Sequence, residues 1–173
     1  DQSLIDFLAR NDHFTPFTHC TITMREKVPL FVARQRFKHT VGFSYNEVSR
    51  RYVDDLPEFY VPTEWRKKAD DRKQGSSEET IDINPHHLMI DDYLQSINKA
   101  KWTYIHLLGM GVCPEQARMV LPQATYTEYY VTGSLYAWAR AYNLRSESTA
   151  QQEIQDLASQ WHNIILPLFP ESW

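Results

Sequence analysis

The sequence has few cysteines and lacks any long apolar run. Its two cysteines, Cys20 and Cys113, lie far apart and form no paired motif. This excludes a disulfide framework and a zinc module, and we expect a reducing, cytoplasmic environment. No apolar stretch reaches the roughly 20 residues that a membrane-spanning helix requires, so we expect no membrane partner. The start shows no signal-peptide pattern. Because the chain begins at Asp1 and not at methionine, we expect further residues to precede it in the natural protein.

The sequence also lacks an excess of basic residues. Its 18 lysines and arginines are outnumbered by 22 acidic residues, for a net charge of -4. A dedicated duplex-DNA binder usually carries a basic domain, so this class is disfavoured. With 42% hydrophobic and 23% charged residues among 173, the chain is long and apolar enough for one globular domain over residues 1–173.

Apolar residues at helical spacing predict most of the secondary structure. Pro29 at a first helical position favours a helix over 29–39, ending before Gly42, and Asn84 with Pro85 favours the start of a long helix. The predicted helices cover residues 3–11, 29–39, 84 to 109 or 111, 114–121, a segment after Gly133 and Ser134, and 149–169.

Two segments rich in threonine, valine and tyrosine predict strands, at 21–28 and 125–132. Residues 58–62 resemble a short third strand. The charged segment 65–80 contains glycine and serines, and we expect it to be a mobile excursion without core residues. The predicted fold is therefore α/β or α+β, a single domain with a small central sheet flanked by helices.

The stretch 34–52, RQRFKHTVGFSYNEVSRRY, concentrates positive charge in an otherwise acidic chain. It carries five basic residues and the single acid Glu47. Clustered arginine and lysine side chains are typical of sites for phosphate and other anions. Within the predicted helix, Gln35, Lys38 and His39 are spaced to share one face. Farther along, Arg145 stands seven residues after Trp138 and extends an apolar helix face.

These segments resemble the flavin-dependent thymidylate synthases. ARQRFKHTVGFSYNEVSRRY is similar to the family's signature region, which ends in NExSxRY. The family's HxTPFxH segment resembles NDHFTPFTHC, and its two later arginine segments resemble ARMVLP and NLRSESTAQQEIQ. All four occur in the family's order.

The resemblance implies a homotetramer of α/β subunits with shared active sites. It implies an enzyme that makes dTMP from dUMP, with methylenetetrahydrofolate as carbon donor, FAD as hydride carrier and NADPH as reductant. Arg145 would be catalytic, stabilising the uracil imide as an anion, which suits a guanidinium in a region of low dielectric.

The resemblance also implies roles for further residues. His13 would lie near the folate and the flavin. The dUMP-binding residues would be Gln35, Lys38, Glu47, Ser49, Arg51, Arg118 and Arg145. The FAD-binding residues would be Thr15, Lys38, His39, Thr40, Glu47, Ser134 and Arg140.

Several positions depart from the family's pattern. Lys38 and Thr40 stand where many members carry arginine, and Ser134 and Arg140 stand where others carry asparagine. Thr149 replaces a histidine of some members.

Other functions remain open from the residues alone. In a single-stranded nucleic-acid binding module, the cations of 34–52 would track phosphates while Phe37, Phe43, Tyr45 and Tyr52 stack on bases. A serine hydrolase is disfavoured because Ser49 has no identifiable base beside it. We expect no metal site, since His13, His19 and Cys20 fit no zinc pattern. An assembly role has no support beyond the apolar last helix.

Overall fold

Helices and strands alternate irregularly along the chain. The computed structural model describes residues 2–53, 55–70, 75–81 and 83–173, with the side chains of 83–88 excepted. The helices are α1 (Gln2–Arg10), α2 (Leu30–Arg36), α3 (Ile83–Gly109), α4 (Pro114–Ala117), α5 (Leu135–Arg145) and α6 (Gln152–Ile165). The strands are β1 (Thr21–Pro29), β2 (Phe43–Glu47), β3 (Arg66–Lys68), β4 (Ser76–Thr80) and β5 (Tyr126–Ser134).

Three strands form the central sheet in the order β1-β5-β2. The main-chain bonds beside β1 and β5 pair Leu135 with Cys20 and Leu30 with Thr125, as antiparallel strands require. The strand order and direction make this an α+β fold, which confirms the predicted class and decides between its two forms.

Backbone contacts divide the chain into two compact units. The first comprises Asp1–Glu26, Arg34–Asn46 and Tyr129–Trp173. The second comprises Lys27–Ala33 and Glu47–Glu128.

In the first unit, α5 and α6 pack against each other through large apolar side chains. The rings of Trp138 and Trp161 meet edge to face, with centroids 5.4 Å apart, and both are buried. Ile154, Leu157 and Ile165 complete the buried stripe of α6. These apolar positions recur every three or four residues, which is why the sequence predicted this helix.

In the second unit, the long helix α3 buries Ile97 and Tyr104. The hydroxyl of Tyr93 donates to the carbonyl of Tyr60 at 2.6 Å. Strands β3 and β4 pair antiparallel, and Ala69 beside them is buried.

Several predicted elements are confirmed and others are corrected. β1 and β5 match the two predicted strands, whereas β2, β3 and β4 were missed. The predicted strand 58–62 is reduced to a single bridge from Phe59 to Thr125. The segment 65–80 contains a strand pair and a buried alanine, so the expectation of no core there is wrong, although its mobility stays a prediction. The last helix begins at Gln152, later than the predicted start near Thr149, and it ends at Ile165 because Pro167 has no N–H to continue it.

The predicted helix 29–39 is also too long. Its start is displaced because Pro29 ends β1, and the N–H groups of Leu30 and Phe31 donate to the carbonyls of Thr125 and Gln123. Its end lies at Arg36, so Gln35, Lys38 and His39 do not share a helical face.

The described helices include none that is long and apolar enough to cross a membrane. Both cysteines are free and exposed.

The packing of α6 gives a test of the first unit's core. Replacing the fully buried Ile154 by alanine should lower the free energy of unfolding by about 2–5 kcal/mol, because it removes apolar contacts and leaves a cavity. The matched control is Ile164→Ala in the same helix, where the side chain is 50% exposed and the change should stay within about 0.5 kcal/mol. Urea unfolding at one protein concentration measures both, and equal losses would contradict the assigned core.

Candidate active site

The centre of the candidate site is a contact between Arg145 and the turn that follows α2. Arg145 lies in the last turn of α5, and its Nε donates to Nε2 of His39 at 2.8 Å. Its Nη2 donates to the carbonyl oxygen of Gln35 at 3.3 Å. The structure therefore brings Arg145 to two other predicted site residues, Gln35 and His39, that precede it by more than 100 positions in the sequence.

His39 is held in its neutral form. Burial, together with the positive charges of Arg145, Arg36 and Arg140, lowers the pKa of His39 to about 4. Because Nε2 accepts the bond from Arg145, the neutral ring carries its proton on Nδ1. The imidazole thus orients a guanidinium without adding charge.

Arg145 is suited to act on an anion. Burial and the charge of Arg36 both lower its pKa from the ordinary arginine value, because a desolvated cation beside another cation is less favourable. A guanidinium has five N–H donors, and the bonds to His39 and Gln35 use two of them. The remaining donors form a cationic surface for a planar, negatively charged group.

Behind this contact lies a buried polar network that the sequence analysis missed. Arg36 is fully buried, and its Nε lies 3.3 Å from the Glu26 carboxylate. Its Nη1 donates to the hydroxyl of Tyr45 at 2.6 Å. The hydroxyl of Tyr129 donates to Glu26 at 2.6 Å, and burial raises the pKa of that hydroxyl far above its usual range. Each member therefore compensates for the desolvation of another.

Aromatic rings complete the surroundings of Arg36. Its Cζ lies 4.3 Å from the ring centroid of Phe43, 4.7 Å from that of Trp161 and 4.8 Å from that of Trp138. Among the residues that the structure describes, Nη2 of Arg36 has no hydrogen-bond acceptor. Contact with the negative faces of these rings offsets the missing bond in part.

One signal in the sequence indicates this network. Ile22, Glu26 and Val28 all occupy even-numbered positions of β1 and are buried. An acid at an inward-facing position of a strand requires a buried partner. The buried partner of Glu26 is Arg36, one of the basic residues in the stretch 34–52.

The predicted FAD residues of the first unit lie partly around the start of α5. Ser134 caps this helix by accepting from the N–H of Ala137 at 3.2 Å, which confirms the predicted turn into it. Gly42 has φ +78°, and a Cβ there would lie 2.8 Å from Cβ of Ala137. The turn containing Thr40 and Gly42 therefore needs glycine to approach the helix so closely.

This arrangement fits a flavin nucleotide chemically. Hydroxyls of Ser134 and Thr40, the imidazole of His39 and the guanidinium of Arg140 provide donors for phosphate and for polar ring edges. Arg140 also lies over the ring of Tyr136, at 5.7 Å from its centroid.

The second unit holds four of the predicted dUMP residues, Glu47, Ser49, Arg51 and Arg118. Thr127 donates to the Glu47 carboxylate at 2.5 Å, and the Ser49 hydroxyl accepts from the backbone N–H of Arg51 at 3.3 Å. Arg51 and Arg118 both contact Glu115.

Glu115 accepts from both arginines, at different oxygens. Nη2 of Arg51 lies 3.4 Å from its carboxylate, whereas Nε of Arg118 donates to its backbone carbonyl at 3.4 Å. The structure thus joins two predicted binding residues that the sequence separates by 67 positions.

Three predicted residues lie apart from these contacts. His13 follows α1, with its ring centroid 6.0 Å from that of Phe7. Thr15 begins a 3-10 turn, and Lys38 is exposed in the turn after α2.

A shallow depression of about 170 Å³ in the second unit has a different lining. Its cations are already paired: Lys27 contacts Glu58 at 2.8 Å, and Arg50 donates to the Asp55 carbonyl at 2.9 Å. Its lining includes none of the residues predicted to bind dUMP or FAD. Within the described ranges, no group of three or more histidine, cysteine or acidic side chains is placed to hold a metal.

Three of the four aromatic rings of the nucleic-acid alternative are engaged inside the first unit, whereas Tyr52 is exposed. Phe37 packs edge to face on Tyr129 at 4.8 Å, and Phe43 packs on Trp138 at 5.1 Å. The Tyr45 hydroxyl is engaged with Arg36.

Comparison with known proteins identifies the family. Residues 1–171 match the model of the thymidylate synthase complementing protein family. A flavin-dependent thymidylate synthase of Thermosipho africanus is 40% identical over 167 residues, which cover 95% of this chain and 71% of the relative. The enzyme of the same name from Thermus thermophilus is 37% identical over 173 residues, 100% of this chain and 62% of the relative. The chain belongs to this family.

Membership confirms the resemblance and makes the chain a flavin-dependent methylating enzyme. Solved structures agree with it. A UMP/dUMP methylase, PolB from Streptomyces cacaoi, bound with 5-Br dUMP, has a TM-score of 0.88 and 29% identity, covering 99% of this chain and 76% of that one. With 5-Br UMP bound, PolB has a TM-score of 0.90 and 28% identity, covering 99% and 80%.

The neutral state of His39 predicts a pH dependence of stability. The unfolded imidazole binds a proton near its ordinary pKa of about 6.5, whereas the folded one does so at about 4. Acid therefore favours the unfolded chain. The contribution of neutral His39 to the free energy of unfolding is complete above pH 6.5 and is lost as the pH falls to about 4. His39→Gln should remove this part of the pH dependence. Urea midpoints at pH 7.5 and pH 5 measure it.

The control for this test is His106→Gln, at an exposed position in the last turn of α3. It should keep the wild-type dependence. Identical pH dependence in the two variants would show that His39 is not held neutral by its surroundings.

Proposed function

We propose that this protein converts dUMP to dTMP, with methylenetetrahydrofolate as the carbon donor and NADPH as the reductant through FAD. The observation that carries the proposal is the neutral His39 beside three guanidiniums, with Arg145 oriented by two uncharged acceptors. Such a site attracts an anion, and among the described residues no recorded ion pair joins Arg145 to a carboxylate. A uracil ring that becomes anionic at its imide meets this requirement.

Arg145 is the proposed catalytic residue. Its partial burial strengthens its field, since charges interact more strongly in a region of low dielectric. It binds the uracil imide and stabilises negative charge that develops there. Gln35 positions it through its main-chain carbonyl.

The other proposed dUMP-binding residues share hydrogen-bonding or cationic groups that suit a nucleotide monophosphate. Arg51 and Arg118, placed together at Glu115, bind phosphate or the uracil edge. The set is completed by Lys38, Glu47 and Ser49.

FAD is the proposed cofactor, and when bound it supplies the hydride for the reaction. The proposed contacts of this chain with FAD come from the turn after α2 and from the start of α5. His13 lies near the folate and the flavin. The FAD contacts are Thr15, Lys38, His39, Thr40, Glu47, Ser134 and Arg140.

The proposed assembly is a cytoplasmic homotetramer in which neighbouring subunits complete one another's active sites. Relatives named as flavin-dependent thymidylate synthases support the reaction. UMP is a second candidate substrate, since PolB is described as a UMP/dUMP methylase and resembles this chain in structure.

Flavin binding and substrate dependence test the proposed reaction. The purified chain should show flavin absorbance after addition of FAD, and it should oxidise NADPH faster when dUMP is present. Parallel assays with UMP determine whether the ribonucleotide is accepted. The chemical control is dCMP, because cytosine has no imide for Arg145 to stabilise. A protein that binds neither FAD nor dUMP would overturn the proposal.

Arg145→Ala tests the catalytic role. Loss of a preorganised donor to developing negative charge should lower kcat by about 100- to 1000-fold. The control is Arg10→Ala, which removes an exposed arginine from the last turn of α1 and should change kcat by no more than about twofold. Circular dichroism checks that both variants are folded. Activity of Arg145→Ala within a few-fold of wild type would exclude the imide role.

A further inference from the structure

We propose that Arg36 and Tyr45 are positioning residues for this reaction, which hold the turn at His39 so that Arg145 keeps its orientation toward the substrate. The inference rests on the proposed function for its catalytic meaning. Neither residue belongs to the set expected to touch dUMP or FAD, and both lie behind the contact of His39 with Arg145.

The first step is the fixed position of Arg36. Its guanidinium is fully buried between the Glu26 carboxylate and the rings of Phe43, Trp138 and Trp161. If the guanidinium moved, it would lose its ion pair with Glu26 while remaining buried, and an unpaired buried cation is strongly destabilising. Arg36 therefore has one stable placement.

The second step passes from Arg36 to Tyr45. Nη1 of Arg36 donates to the Tyr45 hydroxyl at 2.6 Å, and that hydroxyl lies 2.7 Å from the carbonyl oxygen of His39. A second acceptor, the carbonyl of Arg36, is more distant at 3.2 Å. Because a hydroxyl has one proton, the shorter bond to His39 is favoured. Donation from a cation polarises the hydroxyl and strengthens that bond.

Tyr45 also keeps the proton that this bond requires. Burial raises the pKa of Tyr45 to about 12, with Arg36 acting in the opposite direction. The hydroxyl is therefore a donor throughout the neutral range, and the His39 carbonyl is held as long as Tyr45 stays in place.

The third step passes from the turn to Arg145. Both of its contacts, the Gln35 carbonyl and the His39 ring, belong to the short segment that Arg36 and Tyr45 hold at its end. Displacement of His39 by a fraction of an ångström would turn the guanidinium away from its binding geometry. Catalysis is sensitive to such misplacement even when the residue responsible is remote from the substrate.

Tyr45→Phe isolates this effect, because it removes one oxygen atom and keeps the ring that packs on Phe37. We expect kcat to fall by about 10- to 100-fold. The matched control is Tyr93→Phe in the second unit, whose hydroxyl also donates to a main-chain carbonyl, that of Tyr60 at 2.6 Å. It should leave kcat within about twofold of wild type.

A second measurement does not depend on activity. Histidine NMR of the enzyme without substrate follows the titration of the His39 ring, expected at about pH 4 in the wild type. In Tyr45→Phe, the ring should separate from Arg145 and titrate closer to the ordinary value of about 6.5. In an Arg145→Ala background, Tyr45→Phe should shift the His39 titration by less, because the contribution of Arg145 is already absent.

The outcomes separate the two proposals. If His39 titrates in Tyr45→Phe as in the wild type, or if kcat matches that of Tyr93→Phe, the positioning role is overturned. If His39 moves as expected but neither dUMP nor UMP is methylated by the wild type, the proposed function fails while the structural coupling stands.

Discussion

The burial of one positive charge constrains the whole first unit. Arg36 is fully buried, and a cation without water is tolerable only with a counter-charge and further donors or acceptors around it. Removing one partner from a buried ion pair costs about 3–5 kcal/mol, which is a large part of the stability of a domain. The elements that meet at this charge come from all three of the chain segments that form the unit. They provide Glu26 from β1, Phe43 and Tyr45 from β2, Tyr129 from β5, Trp138 from α5 and Trp161 from α6.

Sequence periodicity predicted the elements whose apolar faces are long enough to repeat. α6 and β1 are examples, since their buried residues recur at intervals that identify helix and strand. β2, β3 and β4 are five residues or fewer and mostly polar, so β2 alternates too briefly to be recognised and β3 and β4 show no apolar alternation. The end of α2 depended on a tertiary contact: the Tyr45 hydroxyl lies within bonding distance of the carbonyls of Arg36 and His39, which local spacing does not reveal.

The residues of the candidate site were named from family resemblance, because residue patterns alone did not indicate them. Helical spacing suggested a shared face for Gln35 and His39, and the structure replaces that face with a turn. Their meeting with Arg145 requires the folded first unit. The lowered pKa of His39 could not be predicted from the sequence, because it depends on burial and on arginines from two separate segments, Arg36 and Arg140 among them. Pairing of Glu26 with Arg36 was the part that strand alternation could have indicated.

The kind of partner that orients an arginine determines what the arginine can still do. Arg51 faces the Glu115 carboxylate at 3.4 Å, so part of its charge is compensated before any ligand arrives. Arg145 is oriented instead by an imidazole nitrogen and a main-chain carbonyl, which fix its direction and leave its charge intact. A protonated histidine would have no acceptor at Nε2, so this arrangement requires the neutral ring. Burial and the neighbouring guanidiniums keep His39 neutral, and the positive potential of those guanidiniums favours an anionic ligand. The same guanidiniums thus help to keep His39 neutral, so that it can orient Arg145, and attract the anionic ligand on which Arg145 acts.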